Sequence, residues 1–191
     1  MSLNIKVIVG STRPNRFSEQ AAQWIFEKAR QRADLNVELV DLRDYPMPFF
    51  EEAMPPGMVK EGYAHPVVTR WREKVTEGDG FIIATPEYNH GYPAVLKNAL
   101  DYVYWNWSRK AVAFVSWGGG GGARAVEQLR LVAIELDMAP IRHAVHMANF
   151  WALLDENRKI KTESFEKTGD GLLDQLTWWA GALKAAREAA K

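Results

Sequence analysis

Apolar runs and helix-period segments alternate along nearly the whole chain. The apolar runs are 4–10 (NIKVIVG), 37–42 (VELVDL), 80–85 (GFIIAT), 111–117 (AVAFVSW) and 141–147 (IRHAVHM). The cores of the first, third and fourth, at 5–9, 81–84 and 111–115, are apolar but for Lys6, as expected of parallel strands covered on both faces. Between the runs lie helix-period segments at about 18–33, 66–78, 93–104, 124–137 and 171–190. In the fourth, Val126, Leu129, Val132, Ala133 and Leu136 share one face. In the fifth, Leu172, Leu173, Leu176, Trp179, Leu183 and Ala186 form a stripe expected to face the core.

Five such alternations predict an α/β fold with right-handed crossovers and helices on both faces of a parallel sheet. Five strands in 191 residues suit a three-layer, doubly wound, flavodoxin-like sheet better than a full dinucleotide-binding one. No boundary or internal repeat divides the chain, so 1–191 reads as one domain. Two irregular stretches interrupt the pattern. Residues 45–65 carry four prolines among Met, Phe and Tyr, and suit either a functional loop or an interface wrap. Residues 149–170 form a second polar excursion.

Charge narrows the partners. Lys+Arg and Asp+Glu are both 24, so the net charge of zero gives no electrostatic case for nucleic acid or an anionic membrane surface. Cysteine is absent, which excludes disulfides, thiolate metal sites and cysteine nucleophiles and agrees with a cytoplasmic location. No apolar stretch reaches the roughly 18 residues of a membrane span, and MSLNIKVIV is not a signal peptide. His143 and His146 lie three apart on a strand, hence on opposite faces, and no metal site is expected. His90 is read as a loop residue rather than a substrate contact.

In an open α/β sheet, ligands bind beyond the carboxyl ends of the strands. Three turns there are informative. The first, GSTRPNRFS, joins a strand to a helix N-terminus, where free N–H groups and the dipole favour an anion. Ser11, Thr12 and Ser18 would add hydroxyls to a phosphate, and Arg13 and Arg16 charge-assisted bonds. The plainer alternative is that Ser18 caps the helix and the arginines are solvated. The second, TPEYNHGYP, offers N–H groups from Glu87 to Asn89 and the ring of Tyr88. The third, SWGGGGGAR, gives up side chains for close backbone approach, unless it is a slack lid. One phosphate cradle and two backbone-rich loops together fit a mononucleotide bearing a flat ring.

These stretches resemble the NADPH-dependent FMN reductase family, flavodoxin-like proteins that include quinone, chromate and azo-dye reductases. The likeness is carried by G10-S-T-R13, A84-T-P-E-Y-N-H-G-Y-P-A-V-L-K-N-A-L-D101 and A113-F-V-S116 with its glycines, followed by A125-V-E-Q-L-R130. It implies a tightly but non-covalently held FMN. Ser11, Arg13, Arg16, Phe17 and Ser18 would lie around its phosphate. Pro86, Glu87, Tyr88 and Asn89 would line the ring, and Ser116, Trp117, Gly118 and Gly119 would close its other end. Arg16 stands where many members carry serine, and Trp117 where a tyrosine is common. The resemblance further implies NADPH or NADH as hydride donor and a small acceptor such as a quinone, flavin, chromate or azo compound. No catalytic acid or base is expected, and transfer through a shared pocket implies ping-pong kinetics. Members form dimers or tetramers. Among Tyr102, Tyr104, Trp105 and Trp107, two are expected in the core and two at a subunit interface. A flavodoxin-type electron carrier and a flavin-free binding module are the competing readings; zero net charge argues against the acidic docking face of a carrier.

Overall fold

The computed structural model describes residues 2–59 and 62–190. Its elements are β1 (Leu3–Val9), α1 (Ser18–Arg30), β2 (Leu35–Asp41), α2 (Pro66–Glu77), β3 (Gly80–Pro86), α3 (Ala94–Asp101), β4 (Ala111–Gly118), α4 (Ala123–Glu135), β5 (Ala139–Ala148) and α5 (Glu166–Ala189). All strands pair in parallel, in the order β2-β1-β3-β4-β5. The order reverses between β1 and β3, which opens a crevice at the carboxyl ends of those strands.

Alternation along the strands assigns each side chain to one of two cores. Ile82 and Ala84 face one way, with Val7, Val9, Ala113 and Val115, and are covered by Ala21, Ala22 and Ile25 of α1 and by Leu172, Leu173 and Leu176 of α5. Phe81 and Ile83 face the other way, with Ile8, Val112 and Phe114, beneath α2, α3 and α4. The expected face of α4 is confirmed, with Val126, Leu129, Ala133 and Leu136 buried. Lys6, the one charge in its run, is buried on the α2 side, where its Nζ meets the carboxylates of Glu38 and Glu77.

Three local expectations are corrected. Helix α5 begins at Glu166, not 171. Gly169 and Gly171 look like helix breakers, yet they mark close packing. A Cβ at 169 would lie 3.1 Å from Trp24 and Lys28, and one at 171 would lie 3.1 Å from His143. Trp179 and Ala186 do not belong to the core stripe of α5; both are exposed, and Ala180 turns inward instead. There the helix passes so near β3 that a Cβ at Gly80 would be 3.2 Å from the Ala180 methyl, a spacing that admits no indole. Finally, α3 stops at Asp101, so the aromatic segment 102–107 follows it. Tyr102 and Trp107 are fully buried, whereas Tyr104 is half-buried and Trp105 exposed.

Candidate functional site

The first turn leaves β1 pressed against β3. A Cβ at Gly10 would come within 2.8 Å of the Ala84 carbonyl oxygen, which already accepts the Gly10 N–H at 2.8 Å. Beyond it, Ser11 is buried and its Oγ lies 2.9 Å from Tyr88 Oη. Arg16 is neither solvated nor free. Only 4% exposed, it donates to both carboxylate oxygens of Asp41, to the Ser11 carbonyl, and through Nε to Glu19 at 3.2 Å. From the other side Arg43 donates to the carbonyls of Thr12 and Arg13, at 3.3 and 2.7 Å, and pairs with Glu19 at 2.8 Å. Two arginines thus hold the carbonyls of the turn, and Arg13 is left exposed.

At the start of α1, Phe17 occupies the N-cap and no side chain caps the helix. Ser18 lies inside the first turn, buried, so it is not the cap. The first-turn N–H groups therefore have no side-chain acceptor, which is the condition for binding an anion there.

The second loop is tighter than a row of free donors. The Glu87 N–H donates to the Trp117 carbonyl at 3.0 Å and the Tyr88 N–H to that of Gly91 at 2.8 Å, so two of the three N–H groups from Glu87 to Asn89 are already engaged. Asn89 and His90 have positive φ, of 49° and 70°, closing a small hairpin that presents Tyr88 to Ser11. The Glu87 carboxylate faces Arg124, accepting from its Nε at 2.6 Å, from its terminal nitrogen, and from its backbone N–H at 3.2 Å. Burial alone would raise the Glu87 pKa; the Arg124 hydrogen bonds outweigh it and hold the carboxyl below its ordinary value.

The glycine loop is part fixed and part open. Gly121 and Gly122 have φ of 74° and 78°, and a Cβ at 122 would fall 2.6 Å from that of Ser116. Ser116 Oγ, fully buried, lies 2.7 Å from the Gly121 carbonyl oxygen and 2.8 Å from His146 Nδ1. Gly119 faces open space, with nothing within 4 Å of its would-be Cβ. This is no slack lid: its far half is locked to β4 and its near half is a bare backbone ledge. Trp117 supplies only backbone to that ledge. Its indole is 3% exposed and packs on Phe17, 5.7 Å between ring centroids.

Of the residues expected at the site, Ser11, Tyr88, Glu87 and Trp117 are linked directly, whereas Arg16 turns toward β2. The site also includes a segment that sequence reasoning did not assign. Beyond β5, Phe150 packs on Phe17 at 5.0 Å. Arg158 comes alongside α1, where its carbonyl accepts from Gln20 Nε2 at 2.9 Å. Between this segment and the first turn lies a cavity of about 510 Å³ bordered by Arg13, Asn15, Phe150, Trp151 and Arg158. The aromatic pair at 150–151, directly after the last strand, was the available signal. His143 and His146 do face opposite ways, bonded to Gly171 and Ser116 respectively. Among the described residues no group of three metal-ligating side chains assembles, and no helix is long and apolar enough to cross a membrane.

The donors fit a phosphorylated flat ring. The uncapped N-terminus of α1 and the Arg13 guanidinium suit the phosphate, and the Gly119 ledge admits a planar system that a side chain there would block. Comparison with known proteins points the same way. A family model described as NADPH-dependent FMN reductase matches residues 3–152. An NAD(P)H-dependent FMN reductase of Schizosaccharomyces pombe is 38% identical over 143 residues, 74% of this chain and 72% of its own length. A 2-hydroxy-1,4-benzoquinone reductase of a Burkholderia species is 29% identical, covering 94% of this chain and 97% of its own. Among solved structures, the flavoenzyme NAD(P)H:(acceptor) oxidoreductase FerB of Paracoccus denitrificans shares the fold. Its TM-score is 0.74 at 20% identity, over 94% of this chain and 98% of its own.

Proposed function

The chain belongs to the NADPH-dependent FMN reductase family, and we propose that it is an oxidoreductase that holds FMN at the carboxyl ends of β1, β3 and β4, takes hydride from NADPH or NADH and reduces a small acceptor. The acceptor would be of the quinone or flavin class that its relatives' names record. The observation that carries this reading is the convergence of three loops. Ser11 bonds Tyr88, Glu87 bonds the Trp117 carbonyl, and an uncapped helix N-terminus opens beside them.

Bound FMN would supply the redox chemistry, accepting hydride and passing electrons on. The residues of the chain do the holding. The first-turn N–H groups of α1, with Arg13, receive the phosphate, while Arg16 and Arg43 keep the carbonyls of the turn drawn away from it. Tyr88 and the backbone from Pro86 to Asn89 border one side of the ring. Ser116, Gly118 and Gly119 form the ledge on the other. Arg124 keeps Glu87 ionised and turned aside, so no carboxylate charge lies loose beside the ring. No acid or base is needed from the protein, and donor and acceptor would use one pocket in turn.

The same reading takes the chain as a single FMN-binding unit, cytoplasmic, and assembled as a homodimer or homotetramer. Apolar side chains left uncovered on the α3–α4 side support assembly. Trp105 is 65% exposed, Leu131 71% and Ile134 62%. The visible spectrum of the purified protein, taken before and after anaerobic NADPH, tests the function. Flavin bands that bleach are expected. Bands that persist would make it an electron carrier, and no bands after adding FMN would overturn the flavin site.

A further inference from the structure

The hairpin after β3 and the glycine loop meet at an ion pair whose members are unequally buried. The Glu87 side chain is 6% exposed and that of Arg124, in the first turn of α4, is 47% exposed. One carboxylate oxygen accepts from Arg124 Nε at 2.6 Å and from its terminal nitrogen, and the other accepts the Arg124 backbone N–H at 3.2 Å. Gly122, at the N-cap of α4, has no side chain to offer, so Glu87 caps this helix from a different loop.

The pair lies where the two loops touch. A Cβ at Gly118 would be 3.3 Å from that of Glu87, and one at Gly120 would be 3.5 Å from a terminal nitrogen of Arg124. Among the described residues neither group makes a second ion pair. Burial works against the Glu87 charge, but the Arg124 side chain and the N–H groups of Arg124 and Ala125 outweigh it and keep the carboxyl below its ordinary value. Both charges are therefore present at neutral pH. A neutral amide or hydroxyl would also cap α4. What the ion pair adds to that task is charge.

We propose that Glu87 and Arg124 are opposed charges that poise the reduction potential of the bound flavin, the carboxylate lowering it and the guanidinium raising it. The inference rests on the flavin reading, which lays the ring between the hairpin and the glycine ledge. Hydride transfer breaks a C–H bond of the dihydronicotinamide and forms an N–H bond on the flavin. It leaves the nicotinamide oxidised and the ring one unit more negative. A fixed negative charge nearby disfavours that state and a positive one favours it. The enclosed carboxylate is the less screened of the two, and the half-exposed guanidinium offsets it only in part. A low potential favours giving electrons to the acceptor, and a high one favours taking hydride from the donor. Opposed charges suit a protein that does both in one pocket.

Midpoint potentials of the FMN-loaded protein, measured anaerobically against reference dyes at one neutral pH, test this in the wild type and in four variants. Glu87→Gln should raise the potential by about 30 mV, a tenfold change in the ratio of reduced to oxidised flavin for a two-electron couple. Arg124→Gln should lower it by a smaller amount, and the double variant should return toward the wild type. Arg124→Lys keeps the charge without the fork and should stay near the wild type. A merely structural role would move all four variants the same way, since each breaks the fork. Melting curves report whether each variant folds. If Glu87→Gln does not, the contrast of Arg124→Gln with Arg124→Lys still decides, because that side chain is half-exposed. Unchanged potentials, shifts of one sign in both single glutamine variants, or equal shifts in Arg124→Gln and Arg124→Lys would overturn the inference and leave the flavin reading intact. Failure of FMN to bind the wild type would overturn the flavin reading and this inference with it.

Discussion

Tyr88 Oη and Ser11 Oγ lie 2.9 Å apart, and this single bond joins the hairpin after β3 to the turn after β1. It spans the crevice where the strand order reverses, and it fixes both the ring-side aromatic and the hydroxyl nearest the phosphate turn. Tyr88→Phe keeps the ring and removes the bond. Loss of a neutral hydrogen bond of this kind costs about 0.5–1.5 kcal/mol of stability, so the apoprotein should melt about 1–6 °C lower, and FMN, whose two loops the bond holds together, should bind several-fold more weakly. Flavin fluorescence quenching measures the affinity. An unchanged dissociation constant would mean that the bond does not organise the flavin site.

The two ends of the glycine loop should respond oppositely to one added methyl. At Gly122 a Cβ would strike the Ser116 Cβ at 2.6 Å and the Trp117 nitrogen at 2.9 Å, in a backbone conformation strained for any L side chain. Gly122→Ala should therefore lower the stability of the apoprotein by about 2–3 kcal/mol, from overpacking and strain together. At Gly119 the methyl meets nothing. Gly119→Ala should leave the apoprotein melting curve alone and still weaken FMN binding several-fold, because the ring would lie on that ledge. Equal FMN affinity in Gly119→Ala and wild type would move the ring off the glycine loop.

The centre of the sheet was legible because burial on both faces of β1, β3 and β4 forces nearly uninterrupted apolar runs, and α4 because its face repeats at helical spacing. The start of α5 was not, since Gly169 and Gly171 are required by neighbours distant in sequence: Trp24, Lys28 and His143. The chemistry-bearing residues divide the same way. Loop position after a strand identified Ser11, Tyr88 and Glu87. It could not show that Arg16 is taken by Asp41, 25 residues on, or that Trp117 would turn its indole into the core. Arg158 reaches the site only through Gln20, 138 residues earlier, a pairing that no local pattern encodes.

That Arg16–Asp41 pair carries a prediction about the turn as a whole. The guanidinium side chain is 1% exposed and the carboxylate 28%, so removing one partner strands a buried charge. Breaking such a pair costs about 3–5 kcal/mol, and Asp41→Asn, which keeps part of the hydrogen bonding, belongs at or below the lower figure. For a chain of this size each kcal/mol moves the melting temperature by about 2–4 °C. A drop of roughly 5–10 °C in Asp41→Asn is expected, with FMN affinity falling alongside, since the carbonyls of the turn are no longer drawn back. A variant as stable as the wild type would place Arg16 among the phosphate contacts instead.

His146 ties the far half of the glycine loop to pH. Ser116 has one hydroxyl hydrogen; if it goes to the Gly121 carbonyl, 2.7 Å away, then His146 Nδ1 must carry the hydrogen between itself and Ser116 Oγ. Burial lowers the His146 pKa below its ordinary value; the Gly121 carbonyl opposes that shift and Arg130 adds to it. The folded protein thus holds the imidazole neutral at a pH where the unfolded chain already binds a proton. The stability due to this group is complete above about pH 6.5, the unfolded value, and is lost as pH falls toward the lower folded one. The melting temperature of wild type minus that of His146→Gln should therefore decline between pH 7.5 and 5. Parallel curves for the two proteins would show that His146 is not held neutral by the fold, and the loop would then owe its shape to Ser116 and Gly121 alone.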